Sequence, residues 1–399
     1  MTGPTVPVAS KEELAAPPKK GKLITPFNVF TSVVVVVAFV IAVIRFTKGL
    51  GAVTNLSNDF PWGLWIGFDV LCGVALAAGG YTIAATVHIF RLEQYRPILR
   101  PAILTGFLGY FFVVVGLLLD LGRPWRIVYP VFYTYGVASV MFLVAWHVFL
   151  YLTCQFIEFA PAICEWRGWD VARRWFLKAE IGACIAGVIL STLHQSALGA
   201  LFLLAPTKLY PLWYSPLLPL FFFISSIIAG LAVVILESSL SHRIFKDRTD
   251  PRHAKTLGGL HIGLAEVASF ALLAYFFLKW IGVAHGQHWN LLATPLGSWF
   301  LVEVFIFVLL PCLLFAWAAR EKNVRLVVFT SVLTVVGIII NRLNVSIIGF
   351  RWNAVEHYIP AWSEVVVTVA IVAFAIATFR WIVTRMPVLR EHPDYPDAA

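Results

Sequence analysis

Charged residues are scarce in this sequence. Asp, Glu, Lys and Arg make up 13% of its 399 residues, whereas hydrophobic residues make up 60%, and the mean hydropathy is +0.84. No water-soluble core of this size needs so much apolar surface, so the composition excludes the soluble globular class and predicts a polytopic membrane protein. The 15 Trp residues fit interfacial belts, and the many Pro and Gly residues are tolerated in membrane helices.

Metal-binding cysteine motifs are missing as well. The five cysteines show no C-x-x-C spacing; they are Cys72, Cys154, Cys164, Cys184 and Cys312. This pattern indicates neither an iron–sulfur cluster, nor a zinc site, nor a disulfide framework. We therefore expect no metal ion bound by this chain.

A concentrated basic patch is also missing, although the net charge is +9. The Lys and Arg residues are dispersed over the loops, so the sequence predicts the lipid bilayer as the surroundings and no nucleic-acid partner.

Apolar runs of membrane-crossing length recur ten times. The predicted spans are 27–45, 62–90, 101–121, 134–158, 177–203, 216–240, 257–284, 298–319, 324–348 and 362–384. No convincing small-residue cleavage site follows the first run, so we interpret it as a retained anchor rather than a signal peptide.

The spans define a domain plan for an all-α protein. Two of them enter after Pro-Trp or Pro-Leu-Trp segments at 61–62 and 211–213, which weakly indicates two four-helix units. The predicted segments are a disordered amino terminus (1–25), an anchor helix (26–46), an amino-terminal four-helix bundle (62–203), a carboxyl-terminal four-helix bundle (216–348), a last helix (362–384) and a tail (385–399).

Charge bias predicts the orientation. Lys and Arg crowd both termini and the connections near 91–100, 165–178, 242–255 and 320–325, whereas the alternate loops hold few. Because positively charged loops stay in the cytoplasm, we expect both termini to be cytoplasmic in a bacterial inner membrane. The alternate loops would face the periplasm, and their aromatic residues indicate either an interfacial belt or a docking surface.

The stretch from Asp59 to Arg91 combines an apolar span with two ionisable groups. Asp69 and His88 are separated by roughly 28 Å along a helix, so each lies near one membrane face. Asp69 shares a helix face with Gly73, Leu76 and Gly80, and small residues there let another helix approach closely. Asp69 is interpreted either as a functional acid or as a structural acid that pins two helices.

Polar residues within the spans fall into two groups. The outer group consists of Asp69, Asp120, His194, Gln195, Glu303, Arg342 and Asn344, with Arg123 and Glu364 at its edge. The inner group consists of His88, Glu180, Glu237, His261 and Glu266. Each is expensive in lipid, so each needs a partner or a water-filled cavity.

In the outer group, Asp120 and His194 are the strongest candidates for binding a polar ligand. Arg123 is three residues after Asp120, so it could pair with that carboxylate and hold it ionised, or form only a helix-end salt bridge. His194, beside Gln195, suits a hydrogen bond to a carbonyl ring, although a membrane His is often a packed, satisfied residue.

Arg342 is the costliest single residue in the spans. We expect it to neutralise an acid, with Glu364 or Asp69 as the candidate, and this pairing could be wholly structural.

The inner group suits a proton path, because buried carboxyls and imidazoles with water form such relays. Helix-to-helix hydrogen bonds explain any single member equally well. The histidines allow one conceivable bis-His haem pair, His88 with His261, at similar depth.

Several motifs resemble one known family. They are FPWGLWIGFD (60–69), AAGG (77–80), LDLGRPW (119–125), LHQSALGAL (193–201), YPLWYSPLLPLF (210–221), ILESS (235–239), FLVEVFIFVLLP (300–311), NRLNVSIIGF (341–350) and PAWSEVVVTVA (360–370). They resemble the NrfD-like family, which includes the polysulfide reductase membrane subunit, and among its members the HybB-type membrane subunits of nickel-iron hydrogenases. The likeness extends from about residue 22 to residue 387.

The resemblance implies a fold, a cofactor content and a site. It implies two four-helix bundles with flanking helices, no haem, and electron exchange between membrane quinone and an iron–sulfur protein docked outside. The family's quinone pocket lies near the outer face. The matching positions in this chain are Asp69 and Asp120, with His194 nearby. Proton coupling proposed for some members would involve the positions His88, Glu180, Glu237 and Glu266.

We therefore hypothesise a quinone-reactive membrane subunit of a respiratory electron-transport complex. A periplasmic nickel-iron hydrogenase, with large and small subunits, would pass electrons through a ferredoxin-like iron–sulfur subunit to menaquinone or ubiquinone. Asp120 and His194 would bind the ring and deliver protons. Asp69 and Arg342 would tune the field, and Arg123 and Gln195 would complete the site.

Three alternatives stay open. Within the family, the chain could be the quinol-oxidising anchor of a molybdopterin reductase of the polysulfide type. From another class, it could be a secondary ion transporter, for which Gly79-Gly80 is the single candidate helix break. A haem cytochrome is the third.

Overall fold

The computed structural model describes residues 24–390, and within that range it contains ten helices long and apolar enough to span a membrane. They are α1 (Pro26–Lys48), α2 (Trp65–Ile89), α3 (Glu93–Asp120), α4 (Val140–Arg167), α5 (Asp170–Leu203), α6 (Leu218–Ile244), α7 (His253–His285), α8 (Pro295–Arg320), α9 (Val324–Ile348) and α10 (Trp362–Arg385). The described chain contains no strand beyond one isolated bridge between Leu209 and Phe350. The predicted all-α polytopic membrane fold is confirmed.

The two ends of the chain lie largely outside this description. Of the predicted disordered segment 1–25, residues 1–23 lie outside the described range. The predicted tail 385–399 is described only to residue 390. We call the side on which the described chain begins and ends the terminal side, and the opposite side the distal side.

The largest difference from the predicted bounds concerns α4 and α5. Both helices continue well past the apolar runs, so that only Gly168 and Trp169 separate Arg167 from Asp170. Gly168 adopts the left-handed conformation that ends many helices. Hydropathy underestimated these helices because the last turns of α4 and the first turns of α5 carry charged residues.

Helix contacts form two groups that share a seam. The helices α2 to α5 pack on their chain neighbours, α6 to α9 do the same, and α6 also contacts α9. At the seam α2 crosses α6 where Gly79 faces Gly230, and a side chain on Gly230 would meet the backbone of α2. On another face of α2, Gly80 lies against Gly106 of α3.

The helix α2 is not a regular α-helix. It contains π-helical turns over Trp65–Cys72 and Ala85–Ile89, with a turn between Leu76 and Gly79. Asp69, Gly73 and Gly80 nevertheless share one face of α2, as predicted. Gly116 of α3 lies beside Asp69, and Gly73 and Gly80 also face α3.

The first and last spanning helices pack against each other, and α10 also packs on α3. Their proximity brings the two ends of the chain into one layer at the side of the amino-terminal group.

The segment after α10 lies along the terminal side. Val388 and Leu389 are buried, and Arg100 donates hydrogen bonds to the carbonyl oxygens of Pro387 and Arg390. Arg100 also forms a two-pronged ion pair with Glu165, both bonds at 2.8 Å. The segment therefore connects α3 and α4 to the end of the chain.

Candidate functional site

Asp69 lies near the distal end of α2, buried between α3 and α10. The Thr368 hydroxyl of α10 donates to Asp69 Oδ2 at 3.0 Å, and α3 passes the carboxyl group at Gly116. The other oxygen, Oδ1, is buried and has no hydrogen-bond partner in the described part of the chain. One face of this carboxyl group is thus positioned by the protein, and the other is available to a ligand.

Asp120 ends α3 on the same side of the molecule. Its carboxyl group is close enough to those of Asp69 and Glu364 to interact electrostatically with both, and its Oδ1 atom is also buried without a partner among the described residues.

The positive charge beside Asp120 comes from α1. The Arg45 side chain is buried, and its guanidinium donates to the carbonyl oxygens of Leu119 (2.6 Å) and Leu121 at the end of α3. Arg123 is exposed and forms no ion pair with Asp120 among the described residues, so the predicted partner is wrong. The chain leaves α3 in an extended conformation at Leu121, which carries Arg123 away from the helix end.

Glu364 and Tyr358 close the site towards the distal loops. Glu364 accepts hydrogen bonds from the backbone N–H groups of Asn55 and Ala361, both at 3.0 Å, and from the Tyr358 hydroxyl. Burial and the bond to Glu364 raise the pKa of the Tyr358 phenol well above its usual range. Both oxygens of Glu364 are thus bonded within the protein, so its carboxyl group supports the loops.

Together these residues form the distal acidic site: Asp69, Asp120, Glu364, Thr368, Tyr358 and Arg45. It contains three carboxyl groups and one neighbouring guanidinium in a largely apolar layer. Such a site can accept hydrogen bonds from a polar ligand or pass protons to it, because two carboxyl oxygens are left for that purpose.

His194 does not belong to that site. Its ring is fully buried 5.6 Å from the Tyr110 ring, and Tyr110 precedes Asp120 by ten residues, or about 15 Å along α3. Gln195 Nε2 donates to the Val74 carbonyl at 2.9 Å and to the Tyr110 hydroxyl at 3.3 Å. Both residues therefore lie deeper in the membrane than the two aspartates.

Arg342 does not neutralise Asp69 or Glu364. Its guanidinium lies 3.8 Å from the centre of the Phe222 ring and donates to Asn341 Oδ1, the Phe222 carbonyl and Ser225 Oγ. Within the described range it forms no ion pair with either acid, so the predicted pairing is wrong. The residue lies at the contact of α9 with α6, where carbonyl and hydroxyl oxygens take the place of a carboxylate.

The sequence analysis missed Lys279. Its ammonium group lies 3.3 Å from Glu303 Oε1, and both side chains are buried. Glu303 also accepts from Trp213 Nε1 at 2.7 Å, Asn341 Nδ2 at 2.7 Å and Asn344 Nδ2. The available signal was a lone Lys near the end of the predicted span 257–284, and the pair belongs to α7 and α8 rather than to the distal acidic site.

The four residues predicted to form a proton path are not contiguous. His88 Nε2 lies 3.7 Å from Glu180 Oε1, which links α2 to α5. Glu237 instead accepts from Ser241 on its own helix, and Glu266 is exposed on α7. Only the first two of the four predicted residues therefore lie in contact.

The two histidines of the haem alternative have different partners in the structure. His88 faces Glu180, whereas His261 Nε2 is 2.8 Å from the Ser238 hydroxyl. In the described residues no group of three or more His, Cys, Asp or Glu side chains could hold a metal ion.

Residues 52–352 match the family model described as "Polysulphide reductase, NrfD". The chain belongs to the NrfD family. Asp69 of α2 and Asp120 of α3 both lie within the matched region.

Named relatives extend the similarity over nearly the whole chain. A protein of Nitratidesulfovibrio vulgaris is 50% identical over 94% of this chain and 97% of its own length. The probable Ni/Fe-hydrogenase 2 b-type cytochrome subunit of Escherichia coli is 30% identical over 93% of this chain and 94% of its own. The integral membrane subunit of menaquinone reductase from N. vulgaris is 26% identical, covering 87% of each.

Proposed function

We propose that this NrfD-family chain is the quinone-reactive membrane subunit of a respiratory oxidoreductase, with the quinone ring bound at the distal acidic site. The observation that carries the proposal is the pair of buried, unpartnered oxygens, Asp69 Oδ1 and Asp120 Oδ1, on neighbouring helices. An unpartnered buried oxygen of this kind costs about 1–3 kcal/mol, so the site is favourable only with a ligand or water that fills these bonds.

The chemistry suits two carboxyl groups. Reduction of a quinone takes up two electrons and two protons, and a hydroquinone presents two hydroxyl donors to acceptors. A carboxyl group that lends a proton to the reduced ring avoids a buried dianion. Asp120 would bind and protonate the ring, and Asp69, fixed by Thr368, would bind it from α2.

The remaining predicted residues take different places in this proposal. Arg45, rather than Arg123, is the cation that acts electrostatically on the Asp120 carboxyl group. Arg123 lies exposed at the edge of the site. His194, which lies deeper in the membrane, supplies protons towards the ring, and Gln195 fixes the helix contact beside it through its bonds to the Val74 carbonyl and the Tyr110 hydroxyl. Arg342 does not touch the ring. Its charge acts on the site only at a distance, from a position behind Cys72 of α2.

The electron partner is proposed from the relatives. The E. coli relative is named as a subunit of a Ni/Fe-hydrogenase, and its 30% identity favours a periplasmic nickel-iron hydrogenase that delivers electrons through an iron–sulfur subunit. The distal side would then face the periplasm and the terminal side the cytoplasm of a bacterial inner membrane. A polysulfide-type molybdopterin reductase is the alternative partner, favoured by the description of the family model.

The test uses hydrogen-dependent reduction of a quinone analogue by membranes that contain the whole complex. The Asp120→Asn variant should lose at least about tenfold in quinone reduction, because the amide cannot lend a proton. Dye-linked hydrogen oxidation, which does not need this chain, should be unchanged. The matched control is Asp59→Asn, since Asp59 is an exposed distal acid that pairs with Arg351.

Full quinone reduction in Asp120→Asn would remove Asp120 from the mechanism. Loss of activity in Asp59→Asn as well would assign the effect to the folding of the distal loops. An absence of hydrogen oxidation in the wild type, with quinone reduction driven by another donor, would replace the hydrogenase by a different partner.

A further inference from the structure

A small cleft lined by three arginines lies on the terminal side of the molecule. Arg248 comes from the connection between α6 and α7, Arg385 ends α10, and Arg390 belongs to the segment that follows α10. The other side chains of its described lining are apolar, so the lining offers no carboxylate to the three guanidinium groups. We call it the arginine cleft. Like charges that line one cleft repel each other, and a bound anion would remove this repulsion.

The protein uses few of the N–H donors in the arginine cleft. Arg390 donates to the carbonyl oxygens of Arg248 at 3.1 Å and Asp247 at 2.7 Å. The Arg385 guanidinium lies 4.7 Å from the centre of the Trp381 ring. None of the three arginines forms an ion pair with a carboxylate among the described residues. Because each guanidinium has five N–H groups, most of these donors are available to water or to a ligand.

Other arginines on the terminal side are paired with an acid. Arg100 and Arg173 both bind Glu165, at 2.8 and 2.9 Å, and that carboxyl group is buried. The fold therefore supplies a carboxylate where arginines are neutralised within the protein. In the arginine cleft the described residues supply only carbonyl oxygens and an aromatic ring, so the positive charge of the cleft is not neutralised there.

The arginine cleft lies at the depth of lipid headgroups. The helix α6 ends at Ile244 and α10 at Arg385, so the cleft begins where two membrane-spanning helices end. Trp381 is exposed one turn earlier on α10, and its ring centre lies 6.3 Å from that of Trp166 on α4. Exposed Trp residues of this kind are typical of the interface between hydrocarbon and headgroups. An occupant of the cleft therefore meets arginines at one end and an exposed aromatic ring at the other.

The backbone of the cleft is fixed by bonds to neighbouring elements. Arg100 donates to the carbonyl oxygens of Pro387 at 2.9 Å and Arg390 at 3.5 Å, and the Asp250 N–H group donates to the Leu389 carbonyl at 3.3 Å. The two carbonyl bonds of Arg390 fix its guanidinium as well. A site that is held in this way loses little freedom when a ligand binds, and this favours affinity.

We propose that the arginine cleft binds the phosphate group of an anionic phospholipid. A guanidinium offers paired N–H groups that match two oxygens of a phosphate, and basic pockets at the ends of membrane helices suit such headgroups. Trp381 then lies beside the glycerol and the first acyl carbons. The bound lipid bridges α10 and the connection between α6 and α7. This binding site is independent of the quinone and of the electron partner.

Two other anions offer similar oxygens to the arginines. One is soluble phosphate, and the other is the carboxylate of an acidic residue that follows the cleft in the sequence, Glu391, Asp394 or Asp397. The lipid is favoured because the exposed Trp381 gives the cleft an apolar side that neither of these anions needs.

The first test measures the thermal stability of the purified, delipidated complex in detergent. Phosphatidylglycerol should raise the midpoint of thermal aggregation by about 3 °C or more, because a ligand that binds only the folded state stabilises it. Phosphatidylcholine, whose ammonium group balances its phosphate, and inorganic phosphate at the same concentration should raise it much less. An equal rise with phosphatidylcholine or with inorganic phosphate overturns the proposal.

Variants assign the effect to the cleft. Arg248→Gln combined with Arg385→Gln should remove most of the rise caused by phosphatidylglycerol, because two of the three guanidinium groups are lost. Arg390 and its bonds stay in place, so the segment after α10 remains bound. The matched control combines Arg320→Gln with Arg325→Gln, which removes two exposed charges on the same side, and its rise should equal that of the wild type. An unchanged rise in the cleft variant, or an equal loss in the control, overturns the site.

The second test counts bound lipids by native mass spectrometry, and it stands even where the cleft variant is less stable. The first phosphatidylglycerol should bind the wild-type complex about tenfold or more tightly than the complex with Arg248→Gln and Arg385→Gln. Arg248→Lys with Arg385→Lys keeps the charges without the paired donors, so its affinity should lie between the two. Equal affinities of the wild type and the glutamine variant overturn the site.

A chain that stops after Arg390 separates the lipid from the acidic residues that follow. It lacks Glu391, Asp394 and Asp397, and it should bind phosphatidylglycerol at least as tightly as the full chain. Binding of the lipid by the shortened chain alone would assign the cleft of the complete protein to its own carboxyl-terminal residues, and would overturn the proposal.

Discussion

At the residue scale, one carboxyl oxygen of Asp69 accepts a hydrogen bond from the protein, and the other has no partner among the described residues. Thr368 Oγ1 donates to Oδ2, while Gly116 leaves no side chain between the carboxyl group and α3. The position of a carboxyl group within a site decides how well it can reach a ligand, since small misplacements weaken binding and catalysis strongly. Thr368 is thus a positioning residue for the distal acidic site.

We expect Thr368→Val to lower quinone reduction by about five- to tenfold, because a net hydrogen bond of about 1 to 1.5 kcal/mol is lost. The Michaelis constant for the quinone analogue should rise, while dye-linked activity stays constant. Thr368→Ser should restore the rate. The matched control is Thr378→Val, which removes an exposed hydroxyl that bonds only its own helix at Phe374. Equal effects of both valine variants would indicate a general defect of α10.

Sequence reasoning at this scale located the costly residues but not their partners. Asp69 and Asp120 lie at one site because each is close to the distal end of its span. Hydropathy locates the ends of the spans, so it can predict this shared depth. Arg342 and Arg45 could not be assigned, because an arginine can be satisfied by carbonyl oxygens as well as by a carboxylate. Lys279 was overlooked since nothing in its own span marks the Glu303 that it pairs with.

At the scale of the helices, one stripe of polar residues on α4 and one on α5 were readable in the sequence, but only by an analysis of helical spacing in the two spans. Positions 147, 151, 155 and 158 repeat at intervals of four, four and three residues, and 180, 184, 191 and 194 at four, seven and three. A span with one polar stripe and apolar residues elsewhere is typical of a helix with one face turned towards the bundle interior. Which two stripes face each other follows only from the two-residue turn at Gly168.

The seam between the helix groups depends on Gly230. A Cβ atom there would lie 2.7 Å from the Gly79 nitrogen and 2.8 Å from the Ala78 carbonyl carbon, both backbone atoms that cannot rotate away. Gly230→Ala should therefore push α6 away from α2 and destabilise the protein by about 1–3 kcal/mol. Thermal aggregation of the purified complex would measure this as a lower midpoint.

Gly182→Ala is the matched control for the seam, because nothing lies within 4 Å of a Cβ atom at that position of α5. Its midpoint should stay at or slightly above that of the wild type, since Ala suits a helix better than Gly. A normal midpoint for Gly230→Ala would mean that the seam relaxes without loss.

At the scale of the whole molecule, the terminal side is held by the segment 386–390. Its carbonyl oxygens accept from Arg100, the Asp250 N–H group donates to the Leu389 carbonyl, and Arg390 donates to the carbonyl of Arg248. One short segment thus joins α3, the connection between α6 and α7, and α10. Composition predicted a tail here, whereas Val388 and Leu389 are buried, and only the helix arrangement creates the surface that covers them.

A chain that stops after Arg385 should lose about 2–5 kcal/mol, mainly from the burial of Val388 and Leu389. Its thermal midpoint in detergent should fall by several degrees, whereas a chain that stops after Arg390 keeps the segment and serves as the control. Equal midpoints of the two truncated chains would show that the segment only rests on the surface.

The packing of α1 on α10 has a consequence for biosynthesis. The helix α1 leaves the ribosome long before α10, its main helical partner, so during the synthesis of the helices between them α1 has only lipid for a neighbour along most of its length. Arg45 can reach the end of α3 earlier, and it thereby tethers the waiting helix at one point. The distal acidic site needs Thr368 and Glu364 of α10, so it cannot close before α10 has been synthesised, and a shorter nascent chain cannot yet bind its ligand there.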